Sequence, residues 1–351
     1  MEGRQGEAQK SRGRFLNAPS AKQDICEILQ ILSQSVLEIP LSCFPFRRSA
    51  ASPRLLSFSD FNQERHVIFM AQILDGKAVA AALTAQLKND VQKLKDRGVS
   101  PCLAIVRMGE RGDDLAYERG ATKRAATVGL EVKQFALPAE ASQDELLEVI
   151  AKINADASIH GCLIFMPLPK HIDEAVVRAA LAPEKDVDGI TAASQAGVYS
   201  GKAVGFPPCT PSACMEILRH YRIELKGANA VVFGRSLVVG RPLAMMLLAQ
   251  NATVTICHTK TRDAAAVARG ADVLLAAVGH AGAVGEAFVT PDQVLIDVGI
   301  NVNAEGKLCG DVAPEAAQKG RASTPVPGGV GSVTTTVLAK HVIEAAQRTL
   351  E

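Results

Sequence analysis

From residue 70 onward the chain alternates two hydrophobic rhythms. Short continuous runs of Val, Ile, Leu and Ala are followed by longer stretches in which apolar positions recur every three or four residues. MAQILDGKAVAAALTAQLKNDVQKLKDRG (70–98) predicts a short strand and then a long helix stopped at Gly98. PCLAIVRMG (101–109) predicts a buried strand, 113–129 a helix and 130–137 a strand. A further helix over 142–156 leads to the strand GCLIFMPLP at 161–169. This β-α-β-α-β order implies a parallel sheet with helices over both faces. A helix then begins after the turn Pro207-Pro208-Cys209-Thr210-Pro211 and leads through Lys226-Gly227 into a second alternation. Its strands are predicted at 228–233, 253–258, 273–278 and 294–300, and a glycine-rich loop with a last amphipathic helix closes the chain over 324–350. The expected fold class is α/β, with two lobes facing each other across a cleft where ligands bind.

Residues 1–69 break this pattern. They hold scattered Arg and Ser, one amphipathic stretch from Ile25 to Leu37, and no clear periodicity elsewhere. Met70 is therefore expected to be the native start, and 1–69 a disordered or non-native extension. Gln63-Glu64 can be encoded by CAGGAG, which contains a ribosome-binding sequence a short way upstream of Met70. An organellar targeting segment is the second reading: Arg47, Arg48 and Arg54 favour it, and Glu2, Glu7, Asp24 and Glu27 oppose it.

Composition narrows the class. The 351 residues are 48% hydrophobic, with 38 Lys+Arg against 37 Asp+Glu and a net charge of +1. That is material for two ordinary domains, with no field to concentrate nucleic acid or an anionic membrane surface. Eight cysteines form no C-x-x-C pair, and several sit inside apolar strands, as reduced core residues of a cytoplasmic protein do. No apolar stretch approaches the ~20 residues of a membrane span. No metal site is expected.

The chemistry-bearing segment is VVFGRSLVVGRPLAMMLLAQNATVTICH (231–258), a strand, glycine turn, apolar helix and second strand. Gly234 and Gly240 bracket the turn, where missing side chains let backbone N–H groups and a helix N-terminus approach a pyrophosphate. The spacing departs from G-x-G-x-x-G, so a ligand-free tight turn stands beside the dinucleotide reading. An NAD site usually places an Asp or Glu about 20 residues on, to hold the ribose 2′-hydroxyl. Here the second strand ends His258-Thr259-Lys260-Thr261. Arg235, Thr259 and Lys260 suit a 2′-phosphate instead, which favours NADP and leaves NAD as the alternative.

Taken together, Tyr117 in its helix, PLPKH (167–171), KDVDG (185–189), PPCTP (207–211), GRSLVVGRP (234–242), CHTKT (257–261), IDVGIN (296–301), GDV (310–312) and PVPGGVGSVTTT (325–336) resemble the methylenetetrahydrofolate dehydrogenase/cyclohydrolase family. The resemblance runs from Met70 to the C-terminus. It implies a folate-binding catalytic domain over 70–206 plus 334–351 and a Rossmann-like NAD(P)-binding domain over 207–333. It also implies a homodimer acting on a tetrahydrofolate derivative. Tyr117 and Asp188 would be catalytic, Asp188 taking a fork of two N–H bonds from the pterin and Tyr117 stacking near the reactive bridge. Phe165, Pro327, Gly328 and Gly329 would line the substrate. Gly234, Arg235, Ser236, Val239, Gly240, His258, Thr259, Gly279, Ile300, Gly331 and Thr334 would hold the cofactor. The plain alternatives are that Asp188 caps a helix, that Tyr117 is a satisfied core tyrosine, and that the 325–329 loop merely caps a helix.

Two positions depart from the family pattern. Bifunctional members carry a lysine one helical turn after the tyrosine and a glutamine in the strand before PLP; here these are Ala121 and Phe165. Lys123 is about 200° around the helix from Ala121 and is expected to face elsewhere. Arg124, seven residues after Tyr117, shares the tyrosine's face, but its guanidinium stays protonated. Hydride transfer needs aligned carbon centres and no protein base in principle, whereas hydrolysis of a methenyl cation needs proton movement at the tetrahedral intermediate. The expectation is a dehydrogenase with weak or absent cyclohydrolase. Its rivals are a bifunctional enzyme recruiting Lys123 or Arg124, a silent folate- or nucleotide-binding protein, and an NADP dehydrogenase for another carbonyl compound.

Overall fold

A computed structural model describes residues 71–351; the expectations for 1–70 lie outside the described residues. The first lobe opens with β1 (Gln72–Ile73) and α1 (Gly76–Asp96). Asp75 starts α1 by accepting a hydrogen bond from Lys77 N at 2.8 Å, and Val79, Leu83, Leu87, Val91 and Leu94 form its buried stripe. Then follow β2 (Cys102–Met108), α2 (Gly112–Val128), β3 (Glu131–Leu137), α3 (Gln143–Ala155) and β4 (Gly161–Ile164). Ser142 and Glu145 form a reciprocal capping box on α3. These strands make a three-stranded parallel sheet in the order β3-β2-β4. The short helices α4 (Glu174–Ala180) and α5 (Ala192–Ser200) carry the chain to α6 (Cys209–His220).

The second lobe contains β5 (Asn229–Phe233), α7 (Gly240–Ala249), β6 (Thr253–Cys257), α8 (Ala264–Arg269), β7 (Val273–Ala276) and β8 (Val294–Asp297). A small hairpin of β9 (Asn301–Val302) and β10 (Leu308–Cys309) precedes α9 (Pro314–Lys319) and β11 (Ala322–Ser323). The six-stranded parallel sheet has the order β1-β11-β8-β7-β5-β6. The chain runs from β5 to β6 on one side, then crosses to β7 on the other; that reversal opens a crevice at the carboxyl ends of the strands. The last helix, α10 (Gly331–Arg348), packs against α1, α2 and α6 of the first lobe.

One boundary differs from the sequence expectation. Residues 72–73 were assigned with the first lobe, yet β1 pairs in parallel with β11, Gln72 opposite Ala322. Two residues carry no readable periodicity, and the partner lies near the other end of the chain. Elsewhere the predicted strands and helices stand where the periodicity put them, most of them shortened at one or both ends. A single hydrophobic cluster links Leu103 and Leu163 of the first sheet, Val232 and Leu275 of the second, and Val337, Leu338 and Ile343 of α10. No helix among the described residues is long and apolar enough to cross a membrane, and no group of three metal-ligating side chains occurs among them.

Candidate active site

The KDVDG turn between β4 and α5 is held from several directions. Lys185 Nζ donates to Ile153 O at 2.6 Å and Asp156 O at 2.7 Å. Asp186, wholly buried, accepts from Ile190 N, Thr191 N and Ser194 Oγ. The carbonyl of Val187 accepts from the Cys209 thiol at 3.3 Å and from His341 Nδ1 at 2.8 Å. A carbonyl only accepts, which assigns the proton to Nδ1. Burial pushes the His341 pKa down to about 4 and raises that of Cys209 well above the ordinary thiol value, so the two groups act as a neutral imidazole and a thiol.

Asp188, next in sequence, makes one long bond from Cys209 N at 3.4 Å. The helix-organising role is taken by Asp186, two residues earlier, and Asp188 keeps most of its acceptor capacity. Burial raises its pKa to about 6, against hydrogen bonding from Cys209 that pulls it down. Tyr117 lies close enough to feel that carboxylate: its phenol is pushed well above the ordinary value by burial, then by the Asp188 charge and by Cys209. Its ring meets Phe165 edge to face, with centroids 5.8 Å apart at 89°. Tyr117, Phe165 and Asp188 thus share one neighbourhood.

Ala121 is 2% exposed and belongs to the same hydrophobic cluster as Phe165, with Tyr117 packed against it. The positions of Ala121 and Phe165 are therefore filled by mutually compatible apolar packing. Lys123 is exposed, and Arg124 points to α1, where Nη1 donates to Thr84 Oγ1 at 3.0 Å. Beside Tyr117, Glu118 is nearly buried and receives Arg107 Nε at 2.9 Å; Arg107 also donates to the Gly109 carbonyl. This pair, which ties α2 to β2, left no periodic signal, because an Arg inside an apolar strand reads as an isolated exception.

In the second lobe Gly234 has φ +114°, and a Cβ there would collide with the Ala277 carbonyl; one on Gly240 would strike the Gly234 carbonyl. The turn thus has room for backbone alone. Ser236 Oγ accepts from Val239 N at 3.1 Å and Gly240 N at 3.4 Å, and residues 235–238 stand exposed above the start of α7. At the end of β6, His258 Nδ1 accepts from Lys260 N, and His258 N donates to Thr261 Oγ1. Thr259, Lys260 and Arg262 are exposed. The nearest carboxylate beyond them, Asp263, accepts from Ala266 N and caps α8. Such a glycine cradle at a helix N-terminus, with cations beyond the next strand, fits a phosphorylated dinucleotide.

The IDVGIN and GDV segments contribute two buried carboxylates. Asp311 accepts from Val278 N, Gly279 N, His280 N and Asn301 Nδ2; Asp297 accepts from Gly299 N, Asp311 N and Val312 N. They pin the loops that carry Gly279 and Ile300. Ile300 and Gly331 meet the Pro325–Gly329 loop around a cavity of about 210 Å³. Thr334 is buried and back-bonded to Val330 O at 3.3 Å, so its hydroxyl serves α10. A cavity of about 730 Å³ between α6 and α10 is lined by His341 but by none of the residues proposed to touch folate or cofactor. The chemistry follows the motifs rather than cavity size.

The tetrahydrofolate dehydrogenase/cyclohydrolase catalytic-domain model matches residues 74–188, and the NAD(P)-binding-domain model of the same family matches 208–350. The chain belongs to this family. Among similar tetrahydrofolate dehydrogenase/cyclohydrolase proteins is the bifunctional protein FolD of Clostridioides difficile, 50% identical over 277 residues, or 79% of this chain and 96% of that one. The crystal structure of the bifunctional FolD enzyme from Campylobacter jejuni superimposes with a TM-score of 0.77 at 37% identity, covering 80% of this chain and 99% of that one. A Trypanosoma brucei family member, complexed with NADP cofactor and inhibitor, gives 0.75 at 33% identity over 80% and 99%. Family membership accounts for the two-lobe α/β architecture and for an NAD(P)-binding second lobe.

Proposed function

We propose that this chain oxidises 5,10-methylenetetrahydrofolate to the 5,10-methenyl compound, reducing NADP, and that it lacks an efficient cyclohydrolase. The carrying observation is Asp188: a carboxylate fixed by a fully bonded turn, itself nearly unbonded, beside Tyr117 and Phe165. Ionised, it accepts a fork of N–H donors from the pterin edge and sets which face of the ring meets the second lobe. Tyr117 stacks at the reactive bridge and, with its proton held firmly, donates or accepts without being lost as an anion. Pro327, Gly328 and Gly329 bring backbone to the substrate. Gly234, Arg235, Ser236, Val239, Gly240, His258, Thr259, Gly279, Ile300, Gly331 and Thr334 are the proposed cofactor positions. Arg235, Thr259 and Lys260 favour NADP, since Asp263 is engaged as a cap. The nicotinamide, when bound, supplies the hydride acceptor, and the two lobes supply alignment.

The proposal that hydrolysis is missing rests on Ala121 and Phe165, whose apolar packing leaves no tunable amine at the bridge. Absorbance-monitored turnover of methylenetetrahydrofolate with NADP and NAD in parallel, plus methenyl compound as a separate substrate, tests both halves. Reduced cofactor with persisting methenyl product is expected. Loss of methenyl compound above the buffer rate would show that another residue replaces the lysine, and folate binding without turnover would mark a silent binding protein. We also read the protein as a cytoplasmic homodimer. The buried cysteines, unpaired among the described residues, support the first. Exposed Ile73, Val302 and Leu308 on β1 and the hairpin support the second; sedimentation at micromolar concentration tests it.

A further inference from the structure

His341 stands near the middle of α10, outside every motif quoted for the two lobes, and is 3% exposed. Its Nδ1–H donates to the Val187 carbonyl at 2.8 Å, across 154 positions of sequence. The Cys209 thiol donates to the same oxygen at 3.3 Å, so both lone pairs of the Val187 carbonyl are engaged. The imidazole is fixed in its turn. It lies tilted against Phe206, with ring centroids 5.2 Å apart at 31°, and the Arg348 guanidinium covers Phe206 at 4.1 Å while donating to Gly205 O. Val342, next to His341, and Val187 share the space left by the missing side chain of Gly161 at the start of β4. Burial holds the imidazole neutral, which leaves Nδ1 one proton to give and no charge to solvate.

The Val187 carbonyl belongs to the peptide that leads into Asp188. A peptide unit is planar, so the direction of the Val187 C=O also fixes the Asp188 N–H and Cα. The carboxylate of Asp188 is aimed by little else, since its one hydrogen bond among the described residues is the long one from Cys209 N at 3.4 Å. We infer that His341 is a positioning residue for substrate recognition, holding the Val187–Asp188 peptide so that the Asp188 carboxylate meets the pterin N–H groups. The inference rests on the folate reading above. A donor spent on the carboxylate itself would occupy an acceptor site that the substrate needs, whereas a donor on the preceding carbonyl sets the same direction and leaves those sites free. The bond also refers the folate turn to α10, the helix that follows directly on the Pro325–Gly329 loop, so the turn and the loop proposed to flank the substrate share one support.

The experiment measures NADP-dependent oxidation of methylenetetrahydrofolate by the full chain and by its His341→Leu, His341→Gln and His341→Asn variants, each made also on Asp188→Asn. His341→Leu is expected to lower kcat/KM for the folate about tenfold while the NADP KM stays within about twofold of the parent's. His341→Asn, whose amide branches at Cγ as Nδ1 does, restores most of that loss. His341→Gln, whose amide sits one carbon further out, does not restore it, and takes the place of the Leu variant where the latter fails to fold. On Asp188→Asn, removing the imidazole costs less than about twofold, because both changes delete one interaction. Folate kcat/KM at the parent's level in both the Leu and Gln variants would overturn the inference. So would an Asn variant no better than Gln, an NADP KM raised by the same factor, or a full tenfold loss on top of Asp188→Asn. A parent that does not turn over methylenetetrahydrofolate would overturn the folate reading, and this inference with it.

Discussion

Asp188 carries opposite demands from folding and from binding. Burial raises its pKa to about 6, above its ordinary value, so the unliganded fold gains from protonating it; that gain is full below the ordinary carboxylate range and gone above about 6. The proposed folate recognition uses the anion. kcat/KM is therefore expected to fall about tenfold per pH unit below 6 and to level off above it, with Asp188→Asn lower by about 10- to 100-fold and flat through that range. A parent profile with no inflection between pH 5 and 7 would remove Asp188 from the substrate site. A second residue-scale prediction concerns the filled lysine position. The double change Ala121→Lys/Phe165→Gln is expected to raise methenyl hydrolysis at least about tenfold over the parent, whereas Ala121→Lys alone, an amine against the Phe165 ring, lowers stability without that gain. The common neighbourhood of Tyr117, Phe165 and Asp188 was legible because these residues stand in quotable motifs. The Val187 carbonyl with its two donors was not, because Cys209 and His341 meet it from distant parts of the sequence.

At the scale of the element, the proposed cofactor reading makes the Gly234 turn and the β6 end one phosphate-facing edge. Gly234→Ala adds a side chain at φ +114° against Ala277 O, and is expected to cost at least about 2 kcal/mol in chemical unfolding and to weaken NADP binding. Exchanging Arg235 and Lys260 for Ser is expected to cut the NADP-over-NAD ratio of kcat/KM by about 10- to 100-fold, mostly through the NADP KM. An unchanged ratio would relocate the 2′-phosphate. Asp311→Asn puts an amide among four donors and is expected to destabilise by about 3 kcal/mol while raising the NADP KM, since the Gly279 and Ile300 loops lose their common anchor. The main strands and the long helices were readable from period, and the glycine turn from its spacing, whereas the short helices and the β9–β10 hairpin were not. Which carboxylates are saturated by loop donors and which keep free acceptor capacity was not, because Asp186, Asp188, Asp297 and Asp311 look alike in sequence and differ only in how many donors surround them.

The whole molecule is bound together by the chain crossing repeatedly between lobes: from β1 into α1, through the Pro207–Cys209 turn, and from the Pro325–Gly329 loop into α10. Because one apolar cluster spans both sheets and α10, heat is expected to unfold residues 71–351 in one transition by fluorescence and circular dichroism alike, moved up by about 5 °C or more in saturating NADP. Two separated transitions would mean that the lobes melt independently. The two-lobe plan was visible in the sequence, but the β1–β11 pairing was not, since nothing local announces a two-residue edge strand. That pairing has a consequence during synthesis. The partner of β1 and the helix α10 are made long after β2, β3 and β4, so those strands can assemble while β1 still lacks its partner and the first lobe its covering helix. Interruption of translation anywhere before residue 322 leaves a sheet edge and an apolar helix-binding face open to chaperones.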